Sequence, residues 1–392
     1  MKISTPIYLD NNSTTPIDPR VLESMLPYLQ ERFGNASSNH SFGWIAKSAV
    51  ENARDIIANF LKVSSKELFF TSGATESINL VHLGLTQNIN PDSFHIITTN
   101  LEHSATKESL EYLSKKGFNV AVVNVDNTGI VDPTRVTEAI SDKTRLISII
   151  FANNEIGTIN DIKSIGQICK EKDILLHVDA TQAVGKINFD IKELNIDFLS
   201  FTAHKLYGPK GIGAFYANGK NPKTKLSQRI FGGTQEDSIK PGTLNVPAIV
   251  GFGKAIELCD DEMTKDYNHT ITLKDRFHKN IVSNLEGIFI NGSIKERLPN
   301  NINFYVDGIR ADKLMLELRD LAFSNSSACA SGSTKPSRIL RAIGLTDEQA
   351  LSSVRFGFGR FNTIDEIEYA SQKFIDAVIK LRTKNHNKSQ NN

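Results

Sequence analysis

The sequence predicts an α/β protein, a large domain built on a mixed, mostly parallel sheet and joined to a smaller α+β domain. Between about residues 55 and 217, short β-rich runs alternate with helical patterns, the signature of βα units. Several of these runs are apolar on both faces, as strands covered by helices on each side must be. The chain, at 392 residues, also exceeds what one simple core takes up and fits two domains of roughly 100 to 200 residues each.

In order, the expected strands are ELFFTS (67–72), HIITT (95–99), NVAVVNV (119–125), RLISIIFA (145–152), ILLHVDA (174–180), FLSFTA (198–203) and GIGAFYA (211–217). The last two are about seven residues apart, too few for the dozen or so of a parallel crossover, so GIGAFYA should pair antiparallel or lie beyond its neighbour. After Pro247 the pattern is helical through GFGKAIELCDDEM and a polar amphipathic stretch (264–285), and new strands follow at NNINFYV (300–306) and SVRFGFG (353–359). The expected division is a large domain over 13–258, and a small one of 1–12 plus 259–382 that carries Cys329. The polar, aperiodic tail 383–392 should be disordered.

Lysine plus arginine (45) nearly balances aspartate plus glutamate (44), so charge argues against a nucleic acid or an anionic membrane as partner and for a small ligand. The first residues, MKISTPIYLDNN, lack the apolar core of a signal peptide, and no apolar run approaches the roughly 18 residues that span a bilayer; a cytoplasmic location is expected. Three cysteines without a CxxC pair make no disulfide or zinc framework, and no resident metal is expected. Cys169 and Cys259 lie in helical patterns and read as small buried hydrophobes. Cys329 sits in SNSSACASGSTKPS, a run of small polar residues that favours an exposed, mobile thiol.

Ligands of open α/β sheets bind at the carboxyl ends of the strands, so the residues just after each strand are the candidates for chemistry. After ELFFT comes SGATES, opening a helix over 77–85 whose free N–H groups suit a phosphate; an ordinary helix start capped by Ser72 or Thr75 is the simpler reading of that motif alone. His103 follows HIITT, Asn154 follows RLISIIFA, and Asp179 ends ILLHVDA with Gln182 close behind. An aspartate ending an apolar strand needs a partner: a cap, a cation, or the protonated nitrogen of a pyridine cofactor used as an electron sink. FLSFTA runs into His204 and Lys205, then into GPKGIG, whose glycines and proline permit close backbone approach and distinguish Lys205 from a snorkelling surface lysine. Phosphate cradle, His103, Asn154, Asp179, Gln182 and Lys205 fall in the order, and on the edge, that a pyridoxal-phosphate site requires.

With these blocks, and with IYLDNNSTTPIDPRV, PGTLN, SSACASG and SVRFGFGR, the chain resembles the cysteine desulfurases along nearly everything but its tail. The resemblance implies a fold-type I pyridoxal-phosphate enzyme. It implies that Lys205 holds the cofactor, Asp179 pairs with its ring nitrogen, and His103 stacks on the ring and shuttles protons. Ala74, Thr75, Thr202 and His204 would bind the phosphate, Gln182 the ring oxygen, and Asn154 would line the same pocket. Thr243 would reach the phosphate from the other subunit of a homodimer, and Arg355, otherwise readable as a solvent-facing strand residue, would clamp the substrate carboxylate. Cys329 would take sulfur from L-cysteine as a persulfide and pass it to an acceptor for iron-sulfur assembly or tRNA thiolation, sharing a cluster ligand in passing. Asp237 and Lys240 stand where the family often has arginines, Ala203 where glycine or serine is common, and Ala36 where proline is common. Of the alternatives on the same fold, an aminotransferase would have no use for the Cys329 thiol, and a lyase acting on selenocysteine would leave cysteine turnover weak; a non-catalytic binding protein would show damaged positions, whereas Lys205, Asp179, His103, Cys329 and Arg355 are intact.

Overall fold

The computed structural model describes residues 3–325 and 335–390. In chain order the elements are β1 (Ile7–Tyr8), α1 (Pro19–Gln30), α2 (Ser41–Phe60), β2 (Leu68–Thr71), α3 (Ala74–Thr86), β3 (His95–Thr99), α4 (Ser104–Lys115), β4 (Asn119–Val123), α5 (Pro133–Glu138), β5 (Thr144–Ile150), α6 (Ile162–Lys172), β6 (Leu175–Asp179), β7 (Phe198–Thr202) and β8 (Gly213–Ala217). There follow α7 (Val246–Val282), β9 (Ile288–Ile290), β10 (Asn301–Val306), α8 (Ala311–Glu317), β11 (Leu321–Ala322), β12 (Ser324–Asn325), α9 (Arg338–Ala342), α10 (Asp347–Leu351), β13 (Ser353–Gly357) and α11 (Ile364–Gln390).

Seven strands form one sheet in the order β2-β8-β7-β6-β5-β3-β4. β8 is antiparallel to both its neighbours and every other pairing is parallel, so β2, β3, β5, β6 and β7 all present their carboxyl ends at one edge. The antiparallel placement of GIGAFYA follows from its short connection, as expected. Period-2 alternation gives each strand two apolar faces. Ile147, Ile149, Leu176, Val178, Leu199 and Phe201 pack with α2, α6 and the first part of α7, while Leu146, Leu175, Phe198 and Phe215 pack with α3 and α4.

The second of these faces carries a polar network at its centre. His82 (α3) shares hydrogen bonds with Ser109 Oγ (α4, 2.7 Å), Ser148 Oγ (β5, 2.9 Å) and His177 Nδ1 (β6, 3.3 Å), and His177 Nε2 meets Ser200 Oγ (β7, 3.0 Å). All five residues are buried. Burial pushes the His82 imidazole down to about 3 and His177 well below its ordinary value, so both rings are neutral.

A four-stranded antiparallel sheet, β12-β13-β10-β9, forms a second core with α11, α8 and the end of α7, and the β1–β11 pair brings Ile7 and Leu9 into it. α7 runs unbroken across 258/259: Val246 to Cys259 pack in the large core, and Leu273, Phe277 and Ile281 in the small one.

Two expectations are corrected here. The helix after β2 begins at Ala74 rather than 77, and its N-cap is Gly73 at φ +154°, with neither Ser72 nor Thr75 capping it. The tail is helical through Gln390 instead of disordered, because α11 is anchored before it arrives there: Lys380 and Lys384 pair with Glu317, and Arg382 donates to the Glu286 and Asp307 carbonyls. Extending a helix from an existing turn needs far less than nucleating one. No helix among the described residues is long and apolar enough to cross a membrane.

Candidate active site

At the shared carboxyl edge lies a cavity of about 510 Å³. Its wall contains Ala74, Thr75, His103, Asn154, Asp179, Gln182, Thr202, His204 and Lys205, nine of the residues expected from the sequence.

One end is built on α3. Gly73 offers no side chain, so the first N–H groups of the helix, at Ala74 and Thr75, have no side-chain cap and point their dipole at the cavity. The adjacent Ser72 N–H is taken by Glu76 Oε2 at 2.5 Å. Thr202 donates its hydroxyl to the Ile212 carbonyl (2.9 Å), and Lys210 adds a cation to the wall. His204 meets Thr14 Oγ1 at 3.1 Å; burial, then the charges of Lys205, Lys210 and Lys186, bring it down to about 4. This is an anion-binding end.

At the other end, Asp179 closes β6. One carboxylate oxygen accepts the Thr181 N–H at 3.0 Å, and no lysine or arginine of the described residues forms an ion pair with it. Beside it the buried Thr181 Oγ1 has no partner. His103 is the N-cap of α4, its Nδ1 accepting the Ala105 N–H at 3.1 Å, so in the neutral ring the proton resides on Nε2. Burial lowers its pKa, Asp179 opposes this, and Lys205 and Arg338 add to it. Under His103, fully buried Glu102 accepts from Thr99 Oγ1 (2.7 Å) and the Ile150 N–H (3.0 Å), and burial pushes it up to about 8, which leaves it protonated at neutral pH.

Lys205 enters from the short helical turn after β7. Its Nζ donates to the Asn12 carbonyl at 2.7 Å and to the Ser13 carbonyl. The orphan hydroxyl, the uncapped helix, the unpaired aspartate and the lysine together fit a phosphorylated pyridine aldehyde: an anion at one end, a protonated ring nitrogen and a carbonyl carbon at the other.

Arg355 is buried, which corrects its reading as a solvent-facing residue. Val354 and Phe356 point into the small core, so Arg355 points the other way, toward the large domain. It binds Asp10 Oδ1 (2.7 Å), Ser13 Oγ (2.8 Å), Ser324 Oγ (3.1 Å) and the Asn154 carbonyl (3.0 Å), while its Nε lacks a partner. It stands behind the cavity wall, in contact with two residues, Ser13 and Asn154, that form it. Thr243 is exposed and outside this cavity. Cys169 and Cys259 are buried, as expected; Cys329 lies outside the described residues.

Sequence reasoning did not single out Asn12 and Ser13, the acceptors of Lys205, nor Glu102, nor Lys186, whose Nζ donates to Gln182 Oε1 at 2.9 Å. The only signal for the first two was the polar run DNNST after a strand-like start.

Compared with known proteins, residues 7–370 match the family model described as aminotransferase class-V. The chain is 45% identical over 381 residues to the cysteine desulfurase IscS of Rickettsia typhi, covering 97% of this chain and 93% of that one. It is 45% identical to the cysteine desulfurase IscS of Pseudomonas fluorescens over 96% of this chain and 94% of that one. Among solved structures, a NifS-like protein superposes with a TM-score of 0.88 at 36% identity, covering 94% of this chain and 98% of its own. Another, titled SspA in complex with cysteine, gives 0.81 at 34% identity over 92% of this chain and 100% of its own.

Proposed function

We infer, from a chain that belongs to the aminotransferase class-V family and aligns with cysteine desulfurases along nearly its whole length, that it removes sulfur from L-cysteine and releases L-alanine. The enzyme is a pyridoxal-phosphate-dependent cysteine desulfurase of fold-type I. One observation carries the assignment of roles: Asp179 at the end of β6 and Lys205 in the turn after the adjacent parallel β7 face one cavity whose far end is an uncapped helix N-terminus.

Ala74, Thr75, Thr202 and His204 hold the phosphate, Asp179 accepts from the ring nitrogen, Gln182 meets the ring oxygen, and Asn154 and His103 border the ring. Pyridoxal phosphate, when bound, supplies an electron sink that makes the substrate Cα–H acidic. Lys205 removes that proton. Arg355 orients the substrate carboxylate with its planar guanidinium, already fixed by Asp10 and Ser13. His103, with Nδ1 held by the α4 backbone, gives and takes protons through Nε2. The Cys329 thiolate attacks the substrate sulfur; an S–S bond forms as the C–S bond breaks, and the electron pair left on carbon is protonated on the way to alanine.

The persulfide passes to an acceptor protein, an iron-sulfur scaffold or a tRNA-thiolation carrier, and the enzyme works in the reducing cytoplasm. It is a homodimer. Phe33, Trp44 and Phe231, at 69, 60 and 77% exposure, supply an apolar surface to cover, and Thr243 reaches the phosphate of the opposite subunit.

Mass spectrometry of the protein after brief incubation with cysteine, without reductant, tests the reading. One sulfur atom should map to the Cys329 peptide, with alanine in solution, and Cys329→Ala should retain the yellow cofactor yet release no sulfide. A wild-type protein that binds cofactor and gains no sulfur overturns the assignment.

A further inference from the structure

No step above uses Arg338, the first residue of α9. Cys329 lies in the sequence between β12 and α9, and both of these elements are fastened to the active site. On the β12 side, Ser324 Oγ accepts from Arg355 at 3.1 Å. On the α9 side, Ser337 caps the helix, its Oγ accepting the Ile339 N–H at 3.1 Å and the Leu340 N–H at 3.3 Å. Its hydroxyl also hydrogen-bonds the carboxyl of buried Glu155, the neighbour of Asn154 in the cavity wall. Arg338 then donates through both terminal nitrogens of its guanidinium, from one to the Asn100 carbonyl and from the other to the Glu102 carbonyl.

Those two carbonyls belong to the turn between β3 and α4 that delivers His103. The α4 ladder begins only with the His103 carbonyl, which accepts the Lys107 N–H at 3.0 Å, so the carbonyls before it need donors from elsewhere in the chain. Arg338 serves Asn100 and Glu102, and Asn153 Nδ2 serves Leu101 between them at 3.0 Å. Leu101 and Glu102 are buried, so this backbone cannot shift toward water without losing its packing. A guanidinium suits the task, because its planar fork holds two acceptors at a fixed spacing where an ammonium is a single point. His103 is thus set from one side by the gripped turn and from the other by the Ala105 N–H on its Nδ1.

We propose that Arg338 is a positioning residue for sulfur transfer: its fork fixes the turn that presents His103 to the cavity and, by the same two bonds, ties the chain that follows Cys329 to that turn. The group that handles protons and the chain that carries the thiol then share one anchor. The proposal rests on the roles given to His103 and Cys329 above, so one arm of its test reads the turn independently of the reaction.

Two measurements compare wild type, Arg338→Ala and, as control, Arg341→Ala, which removes an exposed arginine of the same helix that pairs with Asp347 at 3.2 Å. Hydrogen exchange read by mass spectrometry should speed up about 10-fold in the peptide spanning residues 101 to 109 of Arg338→Ala, the size of one charge-assisted hydrogen bond lost, and stay at the wild-type rate in the control. In the holoenzyme, the rapid-quench rate at which sulfur appears on Cys329 should fall by a similar factor, while KM for cysteine and Kd for pyridoxal phosphate stay within about twofold of wild type. Millimolar guanidinium chloride should restore that rate in Arg338→Ala and leave the wild type unchanged. A variant with wild-type exchange, or with the wild-type rate, overturns the proposal, as does one whose slower rate merely follows a loss of cofactor. A wild type that binds cofactor and gains no sulfur overturns the functional reading instead, and the exchange arm still decides whether Arg338 grips the turn.

Discussion

Gly213→Ala should weaken cofactor binding without touching any group that contacts the cofactor. Gly213 opens β8, paired with Thr71 of β2 and Thr202 of β7. A Cβ there would stand 2.7 Å from Gly73 Cα, 2.8 Å from the Gly73 carbonyl carbon and 2.7 Å from the Phe201 oxygen. Carbon atoms settle at about 3.5 to 4.0 Å, so the backbone must part by roughly 0.8 Å, and no flexible side chain can absorb the shift. Gly73 is the N-cap of α3, and moving it carries the Ala74 and Thr75 N–H groups off their aim. Loss of one charge-assisted hydrogen bond, about 1.5 to 3 kcal/mol, corresponds to a roughly 10- to 100-fold rise in Kd. The overpacking itself should cost about 1 to 3 kcal/mol of stability. Titrating apoprotein with pyridoxal phosphate and following the near-visible absorbance measures the first term. Gly219→Ala is the control, since its Cβ meets only the Glu67 side chain, at 3.3 Å. A folded Gly213→Ala protein with the wild-type Kd would refute the argument that α3 packed on β8 sets the phosphate site.

Arg355→Lys should raise KM for cysteine about 10-fold or more and leave cofactor affinity within about twofold, because a point charge replaces a planar fork that now spans Asp10, Ser13 and Asn154; steady-state kinetics beside a cofactor titration separates the two. The His82 imidazole is held at about 3 against an ordinary 6.5, so the unfolded chain binds its proton first: this stability is fully present above pH 6.5 and is lost as pH falls from 6.5 toward 3. At pH 5 the loss from this group is about 2 kcal/mol, and His82→Gln should lose correspondingly less between pH 7.5 and 5 in urea unfolding, whereas equal acid losses in both proteins would contradict it.

The seven strands of the large sheet are legible because helices cover both faces, so each reads as a short apolar run bounded by turn residues. The site residues His103, Asn154, Asp179 and Lys205 are legible for a related reason: each follows such a run, and the parallel pairing brings them to one edge. What escaped has a common cause in contacts distant along the chain. The burial of Arg355 depends on Asp10, 345 residues away, and the anchorage of Lys205 on the Asn12 carbonyl, 193 away. The start of α3 was misjudged because its cap is a glycine at positive φ, which leaves no capping side chain to read. The tail looked structureless because polar composition argues against nucleating a helix, yet nucleation had already occurred upstream in α11.

The two histidines and three serines buried on the α3 and α4 face also bear on how the catalytic edge comes into being. α3 supplies the anion end, α4 His103, β5 the approach to Asn154, β6 Asp179 and β7 the entry to Lys205, and each of the five contributes one member of the network. With any one of them undocked, hydroxyls or imidazoles are left without partners in an apolar layer, at about 1 to 3 kcal/mol for each group stranded. Half-assembled sheets are thus disfavoured against both the complete sheet and the solvated chain. The network therefore ties the five elements that build the catalytic edge to one another as well as to the sheet.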